Sequence, residues 1–239
     1  MSPFATMLFA TTGAAACIPV GALLARIPSL HPGWLESEIR HFVMAFGGGV
    51  LVAAISLVLL PQGAAYVGSP FVSAGSFLLG GCIFFALDRL LARSRRTYPF
   101  LLATLLDYVP ESLALGGAFA AGASGAPLLA LLIGLQNLPE GFNAYRELRE
   151  GKGAGSGRIL LGLLLLVPIG PILAILGWTF LSPAQRLLGA IMMFAAGGIL
   201  YLVFQDIAPK AKLEAHWFPP LGAVCGFALA LLGQLLVGG

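Results

Sequence analysis

Apolar residues fill this chain in long runs, broken at short and regular intervals by glycine, proline and charge. Each run is too long and too evenly apolar for a half-buried soluble helix, and about 20 apolar residues suffice to cross the hydrocarbon core of a bilayer. The runs predict eight membrane-spanning helices, at 4–25, 42–60, 71–92, 99–121, 126–145, 159–180, 187–208 and 218–237. Connections between them are short and leave no room for a separate soluble domain. The expected fold is therefore one all-α transmembrane domain over 1–239, since helices satisfy their own backbone hydrogen bonds within lipid. The first run starts almost at Met1 without the basic n-region of a cleaved signal peptide, and is counted as a span.

Two of the runs carry polar interruptions of the same form. Leu106-Asp-Tyr-Val-Pro-Glu-Ser112 and Leu135-Gln-Asn-Leu-Pro-Glu-Gly141 each place a polar side chain four residues before a glutamate that follows a proline. A carboxylate at the bilayer centre costs roughly 2.5–3.5 kcal/mol on insertion scales, so it is seldom there without a purpose. Three of the ten acidic residues, Asp107, Glu111 and Glu140, lie in these two segments. Residues four apart share a helix face, so Asp107 projects with Glu111 and Gln136 with Glu140. Pro110 and Pro139 each remove a backbone N–H and loosen the carbonyls near residues 106 and 135. At about 1.5 Å per residue, Asp107 and Gln136 both lie roughly 12–15 Å from the nearer helix ends, close to mid-membrane. The two faces are expected to converge on a site with Asp107, Glu111, Gln136, Asn137 and Glu140 around it.

Facing carboxylates without a counter-ion repel one another and take up protons. Neither segment contains Lys or Arg, so the compensating charge is a divalent cation, or protons when no ion is held. Oxygen ligands favour Mg²⁺ or Mn²⁺ and tolerate Fe²⁺ or Zn²⁺. The structural alternative is that these groups bond to one another and merely hold the bundle together. No tightly bound cofactor is expected; the metal ion would be the substrate.

Charge placement supplies an orientation. Arg26 and Arg40, then Arg89, Arg93, Arg95 and Arg96, then Arg146, Arg149, Lys152 and Arg158, then Lys210 and Lys212 flank the odd-numbered connections, leaving Arg186 as the one basic residue at an even-numbered connection. Under the positive-inside rule the odd connections are cytoplasmic and both termini face outward. With 59% apolar and 10% charged residues and a mean hydropathy of +0.95, the net charge of +3 serves topology and calls for no nucleic-acid partner; the bilayer is the partner.

Other features carry less chemistry. Cys17, Cys82 and Cys225 stand alone in three different spans, without metal-ligand or disulfide spacing. The Gly-rich stretch from Glu150 to Gly157 lacks the spacing of a phosphate loop. Trp34, Trp178 and Trp217 fall near span ends, where such rings anchor at the interface. His31, His41 and His216 lie in predicted connections, and Asp88 beside Arg89 reads as a helix-end pair. No histidine lies in a predicted span to activate Ser112, so hydrolytic chemistry is not expected. Phe46-Gly-Gly-Gly-Val50 is similar to Phe194-Ala-Ala-Gly-Gly198, and each is followed by a proline, Pro61 or Pro209. That hints at an inverted repeat in a 3+2+3 arrangement, although small-residue packing explains the glycines equally well.

Gln136-Asn-Leu-Pro-Glu-Gly141 resembles the H-N-x-P-E-G signature of the ZIP (Zrt/Irt-like) metal transporters, and Leu106-Asp-Tyr-Val-Pro-Glu111 is similar to its partner on the preceding helix. The likeness extends to Phe77–Arg89, Gly170–Gly177 and Phe204–Pro209, which resemble the family's third span, sixth span and the end of its seventh. The resemblance implies eight spans in a 3+2+3 arrangement with external termini. It also implies metal ligation by Asp107 and Glu111 from the fourth helix, and by Gln136, Asn137 and Glu140 from the fifth. Asp107 stands where the family usually has histidine, and Tyr108 where it has asparagine. Gly170 takes the place of a sixth-helix glutamate that many members use for a second metal. Arg93-Ser-Arg-Arg96 stands where many members have a histidine-rich loop. The carry-over is thus one oxygen-rich site, with Tyr108, Gln205 and Asp206 along the pathway.

The leading expectation is a divergent, ZIP-like permease of a bacterial inner membrane, moving zinc-, manganese- or iron-class cations toward the cytoplasm. The fourth- and fifth-helix pair would rock against the remaining helices, and a homodimer is an admissible assembly. The alternatives are a proton or small organic cation transporter on the same fold, and a degenerate, non-transporting membrane protein.

Overall fold

A computed structural model describes residues 1–27, 33–92, 99–152, 155–212 and 217–237, with the backbone alone for 33–37, 91–92, 99–106, 150–152 and 237. Among the described residues there is no strand, and the chain folds into eight helical rods. They are α1 (Pro3–Leu24); α2 (Gly33–Ala53, Ala54–Leu59 and Leu60–Val67 end to end); α3 (Pro70–Ala92); α4 (Pro99–Ala120); α5 (Ala126–Lys152); α6 (Ser156–Leu164 and Ile169–Leu181); α7 (Gln185–Leu202, Val203–Ile207 and Ala208–Ala211); and α8 (Leu221–Val237). Five of the eight, α1, α2, α3, α6 and α7, contain stretches long and apolar enough to cross a membrane, and α8 is apolar but shorter. This is a multi-pass membrane protein. His31, His216 and the loop arginines 93, 95 and 96 lie outside the described residues.

Local chemistry sets where the rods begin, bend and end. The Ser2 side chain accepts the backbone N–H of Ala5 and caps α1. α2 starts well before the expected residue 42, so that His41 is helical rather than in a connection, and it runs past Pro61 to Gly68, whose φ of 66° ends it in the left-handed region. Pro61 and Pro209 cannot donate a backbone bond, and their rings crowd the carbonyls of Leu57 and Gln205. In each case the helix widens just before the proline into a π-helical turn, Ala54–Leu59 in α2 and Val203–Ile207 in α7. α6 breaks at 165–168, where Pro168 and Pro171 withdraw two N–H groups from one stretch. Pro219 and Pro220 hold the start of α8 to Leu221.

Close backbone approach at glycines organises the packing. An added Cβ on Gly21 of α1 would strike the carbonyl oxygen of Leu138 in α5, and one on Gly141 of α5 would strike that of Ile18 in α1. Gly177 and Gly116 join α6 to α4 in the same reciprocal way, through the carbonyls of Leu113 and Ala174. Gly226 and Gly49 join α8 and α2 through Phe46 and Ala223; Gly80 and Gly197 join α3 and α7 through Phe194 and Phe77. Lipid tails are as apolar as the helices, so close packing of this kind is what drives membrane helices together. Exchanging α1 with α6, α2 with α7, α3 with α8 and α4 with α5 turns each contact into another. The eight reciprocal contacts fall within two sets, α1/α4/α5/α6 and α2/α3/α7/α8. Between the sets glycines meet side chains instead: Gly47 faces the Pro139 ring, and Gly117 faces Leu188.

Candidate cation site

α4 and α5 form an antiparallel hairpin through a tight turn in which Gly122 has φ 67° and the Ala123 N–H bonds back to the Ala118 carbonyl. Glu111 and Gln136 are equally distant along the chain from the turn's centre, and so are Asp107 and Glu140. The two polar motifs therefore cross head to tail. The glutamate of the first lies level with the glutamine of the second, and the aspartate of the first level with the glutamate of the second. These levels are separated by one helical turn, about 6 Å for four residues.

At the first level Gln136 Nε2 donates to Glu111 Oε2 at 2.6 Å, and both residues are buried. Their remaining oxygens, Glu111 Oε1 and Gln136 Oε1, have no hydrogen-bond partner among the described residues. At the second level Asp107 has the carboxylates of Glu140 and Glu111 as electrostatic neighbours. Asp107, Glu140, Asn143 and Asp206 line a cavity of about 30 Å³, closed by Met44, Gly47, Gly48, Leu51, Pro139, Leu202 and Ile207. Such a volume takes one or two water-sized spheres. Asp107 Oδ1 and Asn143 Oδ1 are buried there without hydrogen-bond partners among the described residues. Buried oxygen acceptors are costly when unpaired, and a partly dehydrated cation is the partner that suits a set made of acceptors. Among the described residues no three His, Cys, Asp or Glu side chains converge closely enough to hold a metal ion by themselves. In this conformation the amide oxygens of Gln136 and Asn143 are further buried acceptors that could add to such a set.

The structure distributes the five residues expected to share a site. Glu111 and Gln136 touch, while Asp107 and Glu140 share the cavity. Asn137 turns away: its Nδ2 donates to the Ala14 carbonyl of α1 at 2.8 Å, which fastens α5 to α1. Tyr108 is buried with its hydroxyl against Gly170, where a Cβ would collide with it. The phenol thus fills the space that a side chain at 170 would need. Asp206, on the π-helical turn of α7, lines the cavity, whereas Gln205 is exposed and outside the lining. Asp88 accepts a hydrogen bond from the Tyr201 hydroxyl at 2.9 Å, joining α3 to α7. Asn143 is the cavity residue the sequence reading missed. It continues the stripe of Gln136 and Glu140 at helical spacing, and that spacing was the available signal.

A much larger recess, about 1020 Å³ between α2, α7 and α8, is lined by residues such as Ala45, Val52, Val203, Phe227 and Leu231, with Lys212 as its one charged member among the described residues. It holds none of the polar motif residues.

Comparison with known proteins agrees with the motifs. The zinc transporter ZupT of Escherichia fergusonii is 28% identical over 96% of this chain and 95% of its own length. ZupT of an Escherichia coli O81 strain is 29% identical over 85% of this chain and 89% of its own. The zinc transporter GufA of Myxococcus xanthus is 35% identical over 145 residues, 58% of this chain and 55% of that protein, so this alignment spans little more than half of either. No protein-family profile matches the chain.

Proposed function

We propose that the chain is a ZIP-family permease carrying zinc-, manganese- or iron-class divalent cations across a bacterial inner membrane toward the cytoplasm, in keeping with its similarity to the zinc transporters ZupT and GufA. The observation that carries this reading is the crossed pair of motifs: two levels of acid and amide oxygens, buried between α4 and α5, with four acceptor oxygens lacking hydrogen-bond partners among the described residues. The ion meets Glu111 and Gln136 at one level and Asp107 and Glu140 at the next. It leaves past Asp206 toward the end of the bundle where Arg146, Arg149 and Lys210 lie. All eight rods span in this reading, both termini face outward, and α1–α3 relate to α6–α8 as an inverted repeat, a common basis of alternating access. The exchange of glycine contacts between the two halves supports the repeat.

The moving unit in this reading is larger than the α4/α5 pair expected from sequence. Backbone contacts at Gly21, Gly141, Gly116 and Gly177 tie that pair to α1 and α6. The set α1/α4/α5/α6 therefore shifts as one body against α2/α3/α7/α8, across a boundary made of side chains. The test is uptake of Zn²⁺, Mn²⁺, Fe²⁺, Cd²⁺ and Mg²⁺ into proteoliposomes, with Glu111→Gln alongside. Saturable uptake that falls at least 100-fold in the variant is expected, as for loss of an essential ligand (about 10–100-fold follows from disturbing an outer-shell partner alone). Wild-type uptake in Glu111→Gln would remove the assigned site. Absence of uptake for every metal would favour the proton, organic-cation or non-transporting alternatives.

A further inference from the structure

Among the described residues Asp206 is the one carboxylate that lines the cavity from the α2/α3/α7/α8 set; Asp107 and Glu140 belong to the other set. It does so from a π-helical turn, a form that recurs at functional sites. Its neighbours on the cavity wall include two side chains more than nine-tenths buried, Asp107 and Asn143, each with an unpartnered oxygen. The carboxylate of Asp206 is already engaged on the other side. Lys210 Nζ donates to Asp206 Oδ1 at 2.7 Å, one helical turn along α7, and Lys210 is not part of the cavity lining. The lysine side chain is 38% exposed and the aspartate 14%. The ammonium thus stands at the outer, wetter side of a carboxylate whose inner side meets the cavity.

We propose that Lys210 is a tethered counter-ion for the release end of the cation path. With no ion in the cavity, Lys210 neutralises Asp206. A divalent cation that reaches Asp107, Glu140 and Asn143 competes for the same carboxylate and displaces the ammonium toward water, where its flexible four-carbon stem can follow. When Lys210 returns, it takes Asp206 from the ion and lowers the ion's hold, so release is faster than three carboxylates alone would allow. No bond is made or broken and no proton moves; one cation replaces another on a shared anion. Lys210 is thus a positioning residue acting through Asp206, and this inference rests on the transport reading above.

The experiment uses the purified full chain in proteoliposomes, with Zn²⁺ and Cd²⁺ as probes, and compares wild type with Lys210→Met, Lys210→Arg, and Lys210→Met combined with Asp206→Asn. KM and Vmax for uptake are measured together with the equilibrium Kd for Cd²⁺ by indicator competition. Coupling between two linked binding events typically changes affinity about 5–150-fold, and the partial exposure of the Lys210–Asp206 pair places this one near about 5-fold. Lys210→Met should lower KM and Kd by about that factor while Vmax falls. Lys210→Arg should stay near wild type, and adding Asp206→Asn should cancel the gain in affinity. Unchanged KM and Kd in Lys210→Met, or a lower Vmax with unchanged Kd, overturns the proposal. The transport reading is judged separately by wild-type uptake of the five metals named above; if the wild type moves none of them, both readings fall.

Discussion

Gly13 and Gly21 lie on the same helix, and the same substitution should act on them with opposite sign. A Cβ at Gly13 meets nothing within 4 Å. Alanine there gains only the usual advantage over glycine within a helix, about 0.5–1 kcal/mol. At Gly21 the new atom would strike the Leu138 carbonyl oxygen and lie 3.0 Å from the Phe142 nitrogen. Both obstacles are backbone, so no rotamer change relieves them, and α1 and α5 must part. A gap of 0.5–1 Å forfeits roughly a quarter to a half of the dispersion energy at each affected contact. Overpacking of this kind costs about 1–3 kcal/mol. The reciprocal contact of Gly141 with Ile18 lies one turn away and opens with it, which places the cost at the upper end. After the helix gain is subtracted, a net loss of about 2 kcal/mol remains. For a chain of this size 1 kcal/mol corresponds to roughly 2–4 °C in Tm, so Gly21→Ala should melt about 4–8 °C lower. Gly13→Ala should melt about 1–4 °C higher on the same scale. Thermal unfolding in nanodiscs at one fixed scan rate, followed by tryptophan fluorescence, reads both. Shifts of the same sign would refute the claim that backbone contact at Gly21 holds α1 to α5.

Two further substitutions separate holding the fold from holding the ion. Asn137→Ala removes the bond to the Ala14 carbonyl and should cost about 0.6–2 kcal/mol of stability. Its equilibrium Kd for Cd²⁺ should stay within a few-fold of wild type; a 100-fold weaker Kd would make Asn137 a ligand after all. Gly170→Ala should destabilise through collision with Tyr108, and Tyr108→Phe in the same chain should recover part of the loss. A double-mutant cycle on Tm should give a coupling of about 0.5–3 kcal/mol, as for residues in contact. Strict additivity would show that the two do not press on each other.

The apolar runs carried the rods because bilayer length leaves little freedom in where a span lies. The crossed motifs were legible as well: a polar residue four before a proline-glutamate pair stands out against leucine and alanine. Their pairing across the hairpin was not drawn out, because it depends on the position of the turn at Gly122 as much as on the motifs. The bond of Asn137 to α1 was not legible because its place beside Gln136 in a ligand-like motif says nothing of direction, and a rotation of 100° per residue aims it at α1. The π-helical turns, the break at 165–168 and the reach of α2 to Val67 were hidden for a different reason. A proline in an apolar run signals a disturbance, but the neighbouring helices decide whether the helix widens, as before Pro61 and Pro209, breaks, as at Pro168, or continues, as at Pro110 and Pro139. The reciprocal glycine contacts are equally silent in one dimension, since glycines that meet a carbonyl and glycines that meet open space read alike.

The glycine pairing also has a consequence for biogenesis. α2 is held by α8 across most of the chain's length, and α3 by α7 across about half of it. Chains leave the ribosome N-terminus first, so α2 and α3 enter the membrane long before either partner exists. Until Leu221–Val237 has been made, the flat glycine face of α2 around Gly49 has lipid for a neighbour. The α1/α4/α5/α6 set needs nothing beyond residue 181 to close its contacts. The helices that carry the polar motifs can thus assemble first, and the set that supplies Asp206 closes around them last.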